Sequence, residues 1–263
     1  MKALRKYLDK REGATLKLLE MDKRSLDSTT VHALRIEIKK IKATLRLIEF
    51  AVHDVNSKKI FKPFKTVFRQ AGKLRELQVE EEMLKKYALK SLSAEYGKVL
   101  KKKKLREQKE FHSVLTGKQT RLLKKRFRKI HSVVTKVEKT AVKEFLNRKR
   151  KKIERNVTKN SLTVLELHKL RKRLKEYEYN RNSVGIKDAV TQSVKANTLP
   201  ILLGSWHDCH VMIKHLEKVT RDRHEYPGEV ILLNRLSNKV SDERDMLLVK
   251  IEKALTASEF YRK

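Results

Sequence analysis

Apolar residues recur at i, i+3, i+4 and i+7 along most of this chain, the spacing of one face of a helix rather than the alternation of a strand. Read by that period, the chain breaks into helical stretches at about 2–21, 29–53, 58–75, 77–95, 98–116, 119–155, 162–182, 186–202, 207–223 and 229–256. Ser28/Thr29 and Asn160/Ser161 are good N-cap types just ahead of periodic segments. Pro63 suits the first turn of its helix. Breaks are expected at Gly117, around Asn182–Gly185 and at Pro227–Gly228. The expectation is an all-α fold.

One pattern occurs twice. Val31, His32, Leu34, Arg35, Ile38 and Lys39 match Leu167, His168, Leu170, Arg171, Leu174 and Lys175, at an offset of 136. Further on, AGKLRELQV at 71–79 matches LGSWHDCHV at 203–211 at an offset of 132, aligning Gly72 with Gly204, Glu76 with Asp208 and Val79 with Val211. Two blocks in the same order at nearly the same offset argue for an internal repeat. The expected organisation is one domain over 1–263, made of a first helical half, 1–118, and a second, 119–263, as two related helical bundles packed together.

Helix geometry turns these matches into faces. At about 100° per residue, His32, Arg35, Lys39, Lys42 and Arg46 fall within an arc of about 80°, while Val31, Leu34, Ile38, Ile41, Leu45 and Val52 take a separate apolar arc. His168, Arg171 and Lys175, with Lys172 beside them, repeat the basic stripe; Leu167, Leu170, Leu174 and Tyr177 repeat the apolar face. On the next helix Lys62, Lys65, Arg69 and Lys73 form a second stripe, with Phe61, Phe64 and Phe68 on the apolar side. Its counterpart in the second half holds Lys195 among mostly neutral residues, so the two halves are expected to bind unequally. Arg121, Lys124, Lys125 and Arg128 make a further basic cluster whose orientation the spacing leaves open, and the run KKKK at 101–104 reads as a solvated helix face.

Like charges in a row cost a helix a few tenths of a kcal/mol per pair. Carrying such a row twice, each headed by His, points to an anion that fills it; a His tying the first turn of its helix to a neighbour is the alternative. The composition strengthens the anion reading. The chain has 66 Lys+Arg against 32 Asp+Glu, a formal net charge of +34. A field of one sign on that scale disfavours the compact state by self-repulsion and steers polyanions. Nucleic acid, an anionic membrane surface and polyphosphate all qualify. Arg supplies a planar fork for phosphate oxygens and Lys a mobile point charge. If His32 and His168 touch phosphate, affinity should rise as pH falls from about 8 to 6.

Other chemistry finds little support. One cysteine, Cys209, excludes an internal disulfide framework and Cys-based zinc fingers. His207, Asp208, Cys209 and His210 are close in sequence, but two His sharing a helical face without a third ligand make a weak metal signal. His207 and Asp208 read instead as a helix start, with Asp at the positive end of the dipole. No positioned nucleophile or acid–base pair stands out, so the chain is expected not to be an enzyme, and neither metal nor cofactor is expected. No apolar run approaches the ~18 residues of a membrane span, and MKALRKYLDKREG lacks the apolar core of a signal peptide. A soluble, cytoplasmic protein is expected, without membrane insertion.

The motifs HALRIEIK at 32–39, LRELQV at 74–79, HKLRKRLK at 168–175 and LLGSWHDCHV at 202–211 resemble those of the CHAD family, the conserved histidine α-helical domain, over essentially the whole chain. That resemblance implies two four-helix bundles related by a pseudo-two-fold axis, with a basic channel or groove between them. It also implies binding of long-chain inorganic polyphosphate and association with polyphosphate granules. The motif residues carry over to His32, Arg35, Lys39 and Lys42, and to His168, Arg171 and Lys175. The chain departs from the pattern at Glu178, where a basic residue is common opposite Lys42, and at Glu76, where Asp is usual. CHAD domains often accompany a triphosphatase domain of the CYTH type; EYEYN at 176–180 lacks that domain's following base and sits in a helical segment, so none is expected. The other readings are a nucleic-acid-binding helical protein, whose contacts would be non-specific, and a granule scaffold recruiting a partner through exposed helices.

Overall fold

The computed structural model describes residues 1–21, 27–87, 94–157, 162–186, 194–221 and 227–256. Their regular structure is entirely α-helical: α1 Lys2–Glu20, α2 Ser28–Ala51, α3 Ser57–Lys86, α4 Ala94–Val114, α5 Gly117–Val134, α6 Lys139–Val157, α7 Val164–Ser183, α8 Val194–Arg221 and α9 Pro227–Thr256.

Helix ends follow from local chemistry that the apolar period does not carry. Asp27, not Ser28 or Thr29, caps α2: its carboxylate accepts from Thr30 N at 2.7 Å and from the Thr29 hydroxyl at 2.8 Å. Ser28 is instead engaged by Arg75. The expected breaks near 76 and between 202 and 207 are absent, because α3 and α8 run through them. Pro63 therefore lies inside α3 and Pro200 inside α8, each the seventh residue of its helix. A proline there removes one intrahelical bond, a loss of one link rather than of the helix. The expected helix 119–155 is two, α5 and α6. Lys136 N and Val137 N turn back to the carbonyls of Val133 and Val134, and buried Val137 anchors that turn. Asn160 and Ser161 lie outside the described residues. The cap of α7 is a box between Thr163 and Glu166: Glu166 N donates to Thr163 Oγ1 at 3.3 Å, and Thr163 N donates to Glu166 Oε2 at 2.9 Å. The stop after Asn182 is as expected. Gly185 has φ +70°, and Ile186 N reaches back to Arg181 O, which closes α7 with a left-handed glycine turn.

The chain forms two compact units, and each draws on both halves of the sequence. The first comprises Met1–Gln78, Lys103–Lys151 and Lys175–Lys187; the second comprises Val79–Lys102, Lys152–Leu174 and Asp188–Lys263. In the first, α1 packs on α2 and α5. The predicted apolar face of α2 is its centre: Val31, Leu34, Ile38, Ile41 and Leu45 are buried, together with Phe64, Phe127 and Ile130. A buried ion pair, Arg11 to Glu37 at 2.8 Å, crosses from α1 to α2. In the second unit α8 packs on α9. Leu203, Trp206, Leu216, Leu233, Leu236 and Val240 fill its core. Buried Glu80 is held there by Tyr96 and by His215 Nδ1 at 2.7 Å.

Candidate functional site

His32 and His168 are each the fifth residue of their helix, so both stripes begin one turn in. In α2, burial of Leu34, Ile38 and Ile41 leaves His32 and Lys42 exposed and Arg35 and Lys39 half-buried. Arg35 is the most tightly placed of them. Its Nη1 donates to Phe68 O at 3.0 Å, and its guanidinium lies over the Phe68 ring at 4.5 Å. This seat exists because residue 72 is glycine: a Cβ there would stand 2.5 Å from Arg35 Nη1. Burial lowers the guanidinium's pKa from its ordinary value; Glu76 opposes the shift and Arg75 adds to it. The group stays charged at any working pH and keeps further N–H donors for another acceptor.

Two cations join this site from elsewhere in the first unit. Burial lowers the pKa of His32, and Arg75, Lys39, Arg35 and Lys175 reinforce the shift. Arg75, in the LRELQV motif, was not among the residues the stripes predicted; it sits one position past Leu74, off the stripe that Lys73 ends. Lys175, expected to complete the stripe of His168 and Arg171, belongs to the first unit and acts on His32. His168, Arg171 and Lys172 belong to the second.

The remaining predicted residues divide by partner. Arg46 is engaged by Glu176, whose other oxygen takes Lys149 Nζ at 2.6 Å, so an acid already occupies the end of the α2 stripe. Lys42 lies over the Phe61 ring at 5.5 Å. On α3, Lys62, Lys65 and Arg69 are exposed and carry no acidic partner among the described residues. Lys73 stands 4.0 Å from Glu107. Of the α3 apolar side, Phe61 and Phe64 are buried and Phe68 is half-buried against Arg35. Glu178, the departure from the family pattern, acts on Tyr7 in the first unit.

In the second unit the structure brings His168 to His207, ring centroids 4.6 Å apart, and stacks His210 on Trp206 at 5.5 Å. His207 and Asp208 do not start a helix; they lie in the interior of α8. Burial holds the His207 pKa down at about 3, with Arg171, His168, His210 and Lys172 adding to the shift. His168 and His210 are lowered by burial first, then by their lysine and arginine neighbours. Burial raises the Cys209 thiol to about 11, which keeps it unreactive. Among the described residues no trio of His, Cys, Asp or Glu is arranged to hold a metal. Gly204, the counterpart of Gly72, has nothing within 4 Å of where a Cβ would be. The Arg35 seat is therefore not repeated at that glycine.

What these groups offer is a set of fixed cations, with hydrogen-bond donors, beside largely neutral imidazoles that an approaching anion would protonate. Among the described residues no helix is long and apolar enough to cross a membrane.

Comparison with known proteins places the fold. The solved structure of the CHAD domain from the plant Ricinus communis matches with a TM-score of 0.78 at 13% identity, over 97% of this chain and 91% of that one. PptA from Streptomyces chartreusis matches with a TM-score of 0.71 at 14% identity, over 97% of this chain and 98% of that one. No curated protein sequence matches the chain. The CHAD domain is matched over residues 2–217, through both histidine motifs and most of α8. By that match, and by an all-helical fold shared with a solved CHAD domain, this chain belongs to the CHAD domain family.

Proposed function

We propose that this CHAD protein binds long-chain inorganic polyphosphate through the cationic faces of α2, α3 and α7, without chemical turnover, and that it associates with polyphosphate granules. Arg35 carries the reading. A guanidinium held by one carbonyl and one ring, in a notch that requires glycine, is preorganised, with donors left over for phosphate. Lys39, Arg75 and Lys175 act with it on His32, and Arg75 acts on Arg35 itself. A string of such cations suits a chain of repeating phosphates better than a single small anion, since each further phosphate binds at the high effective concentration set by the one before. Family membership supports the same ligand.

Replacing Arg35, Lys39 and Arg171 together by Ala should abolish tight binding of long-chain polyphosphate while leaving the helical circular-dichroism signal intact. Competition at about 0.15 M salt, where screening reaches ~8 Å, separates a shaped receptor from a basic surface. Long polyphosphate should displace labelled polyphosphate far better, per charge, than nucleic acid or short phosphates. Equal competition by nucleic acid, or unchanged affinity of the triple variant, would overturn the proposal.

A further inference from the structure

Helix α5 carries the basic cluster that the spacing could not orient, and its surroundings now separate it into faces. Leu123, Phe127, Ile130 and Val134 are buried in the first unit's core. Lys124 and His131 flank them and meet acids of α1: Lys124 Nζ lies 3.1 Å from Glu20, and His131 lies 2.8 Å from Glu12 and 3.7 Å from Asp9. Opposite the core stand Lys118, Arg121, Lys125, Arg128 and Lys129, with Lys136 just past the helix end, all exposed. At about 100° per residue they span an arc of about 100° and a length of about 27 Å. No Asp or Glu occurs from Gly117 to Val137. None of the six has a carboxylate partner among the described residues; Arg121 reaches only the Gly117 carbonyl, at 3.4 Å.

The shape of this face discriminates among polyanions. A helix seated in the membrane interface buries an apolar face in lipid; here that face is inside the protein, and Leu122 is the one exposed apolar side chain of α5. Single strands gain affinity by stacking bases on aromatics, and this face has none. The cations stand in two rows, Lys118, Lys125, Lys129 and Lys136 in one, Arg121 and Arg128 in the other. A thin single chain follows one row and leaves the other unused. At the helix surface, about 5–6 Å from the axis, the band is about 8 Å across, and a duplex presents two phosphate backbones across a minor groove about 6 Å wide, so one band can reach both.

We propose that the outer face of α5 binds double-stranded nucleic acid through its phosphate backbones, without reading sequence. This uses none of the residues assigned to polyphosphate and stands or falls separately.

The test replaces Lys118, Arg121, Lys125, Arg128 and Lys129 by Gln. The matched control replaces five exposed cations of α4, Lys101, Lys102, Lys103, Arg106 and Lys109, by Gln. Binding of random-sequence duplex DNA, duplex RNA, single-stranded DNA and long-chain polyphosphate is measured on the full chain across salt concentrations. For the α5 variant, duplex affinity should fall at least about tenfold, with a salt slope shallower by about 0.9 for each phosphate no longer neutralised. Single-strand and polyphosphate affinities should stay within about twofold, and the α4 control should keep duplex affinity within about twofold, since non-specific binding scales with phosphates neutralised. A stronger effect on DNA or on RNA identifies which duplex the face prefers. Equal loss from the α4 set, or equal loss of polyphosphate and single strands from the α5 set, would overturn the inference. Should the fivefold variant lose its helical signal, Arg121→Gln with Lys125→Gln should still weaken duplex binding about threefold with an unchanged melting temperature, and no change would count against the proposal.

Discussion

At the scale of the residue, Gly72 and Arg35 are a coupled pair. Within a helix Gly costs about 0.5–1 kcal/mol relative to Ala, yet Ala at 72 would collide with the far end of a flexible side chain rather than with backbone. Gly72→Ala should therefore leave the melting temperature unchanged or raise it. It should also expel the Arg35 guanidinium from its bond to Phe68 O and weaken polyphosphate binding about 2- to 10-fold, the loss expected when one preorganised side chain must be ordered again. Thermal melts and titrations on one preparation test both halves. Loss of stability with unchanged affinity would refute the pairing. The histidines set the pH response. His32 is lowered by burial, Arg75, Lys39, Arg35 and Lys175, and His168 by burial, Lys172, Arg171 and His210. Both are therefore largely neutral in the free protein at pH 7, and a bound phosphate favours their protonated forms. Affinity should thus rise as pH falls, through the raised pKa of the bound state and down to the lowered pKa of the free one. The gain extends below the ordinary His value of about 6.5, lower than the range of 8 to 6 that unperturbed histidines suggest. Replacing both by Gln should flatten the profile.

At the scale of the element, stripes predicted from one helix at a time acquire partners from others. Arg46 falls on the α2 stripe by angle but is claimed by Glu176 of α7, which also takes Lys149 of α6. Freeing two cations should help an anionic ligand: Glu176→Gln should strengthen polyphosphate binding about 2- to 5-fold, the size expected from losing an ion pair worth up to about 1 kcal/mol. Weaker binding would mean that Glu176 positions these cations rather than occupying them. The apolar faces were legible in sequence because they are local: Leu34, Ile38, Ile41 and Leu45 are buried as their spacing requires. Helix ends were not. The Thr163–Glu166 box and the Gly185 turn use recognisable residues, whereas the break at Thr135–Glu138 has neither Gly nor Pro to mark it.

At the scale of the whole molecule, the net charge of +34 acts on folding as well as on binding. Self-repulsion of that size is relieved by screening. The melting temperature of the free protein should rise by several degrees as salt is raised from about 0.05 to 0.3 M, where the screening length shortens well below ~10 Å. A polyphosphate ligand should add a larger shift, about 2.7 kcal/mol of stabilisation at a hundredfold excess over Kd. Calorimetry at fixed ionic strength, with polyphosphate against an equal charge of short phosphates, checks both. A flat salt response would show that repulsion does not limit stability here.

The sequence by itself determined the helical class, the buried faces, the repeated motif and the large excess of positive charge. All four depend on residues within a few turns of one another, or on a sum over the whole chain. Tertiary structure alone decided which cations work together. It brought Arg75 and Lys175 to His32, gave Arg46 to Glu176, set His207 against His168 and turned the α5 cations outward. Those pairings join residues up to 143 positions apart, as His32 and Lys175 are, and no helical period extends that far. They follow from which apolar faces bury each other, and the charges are carried along with them.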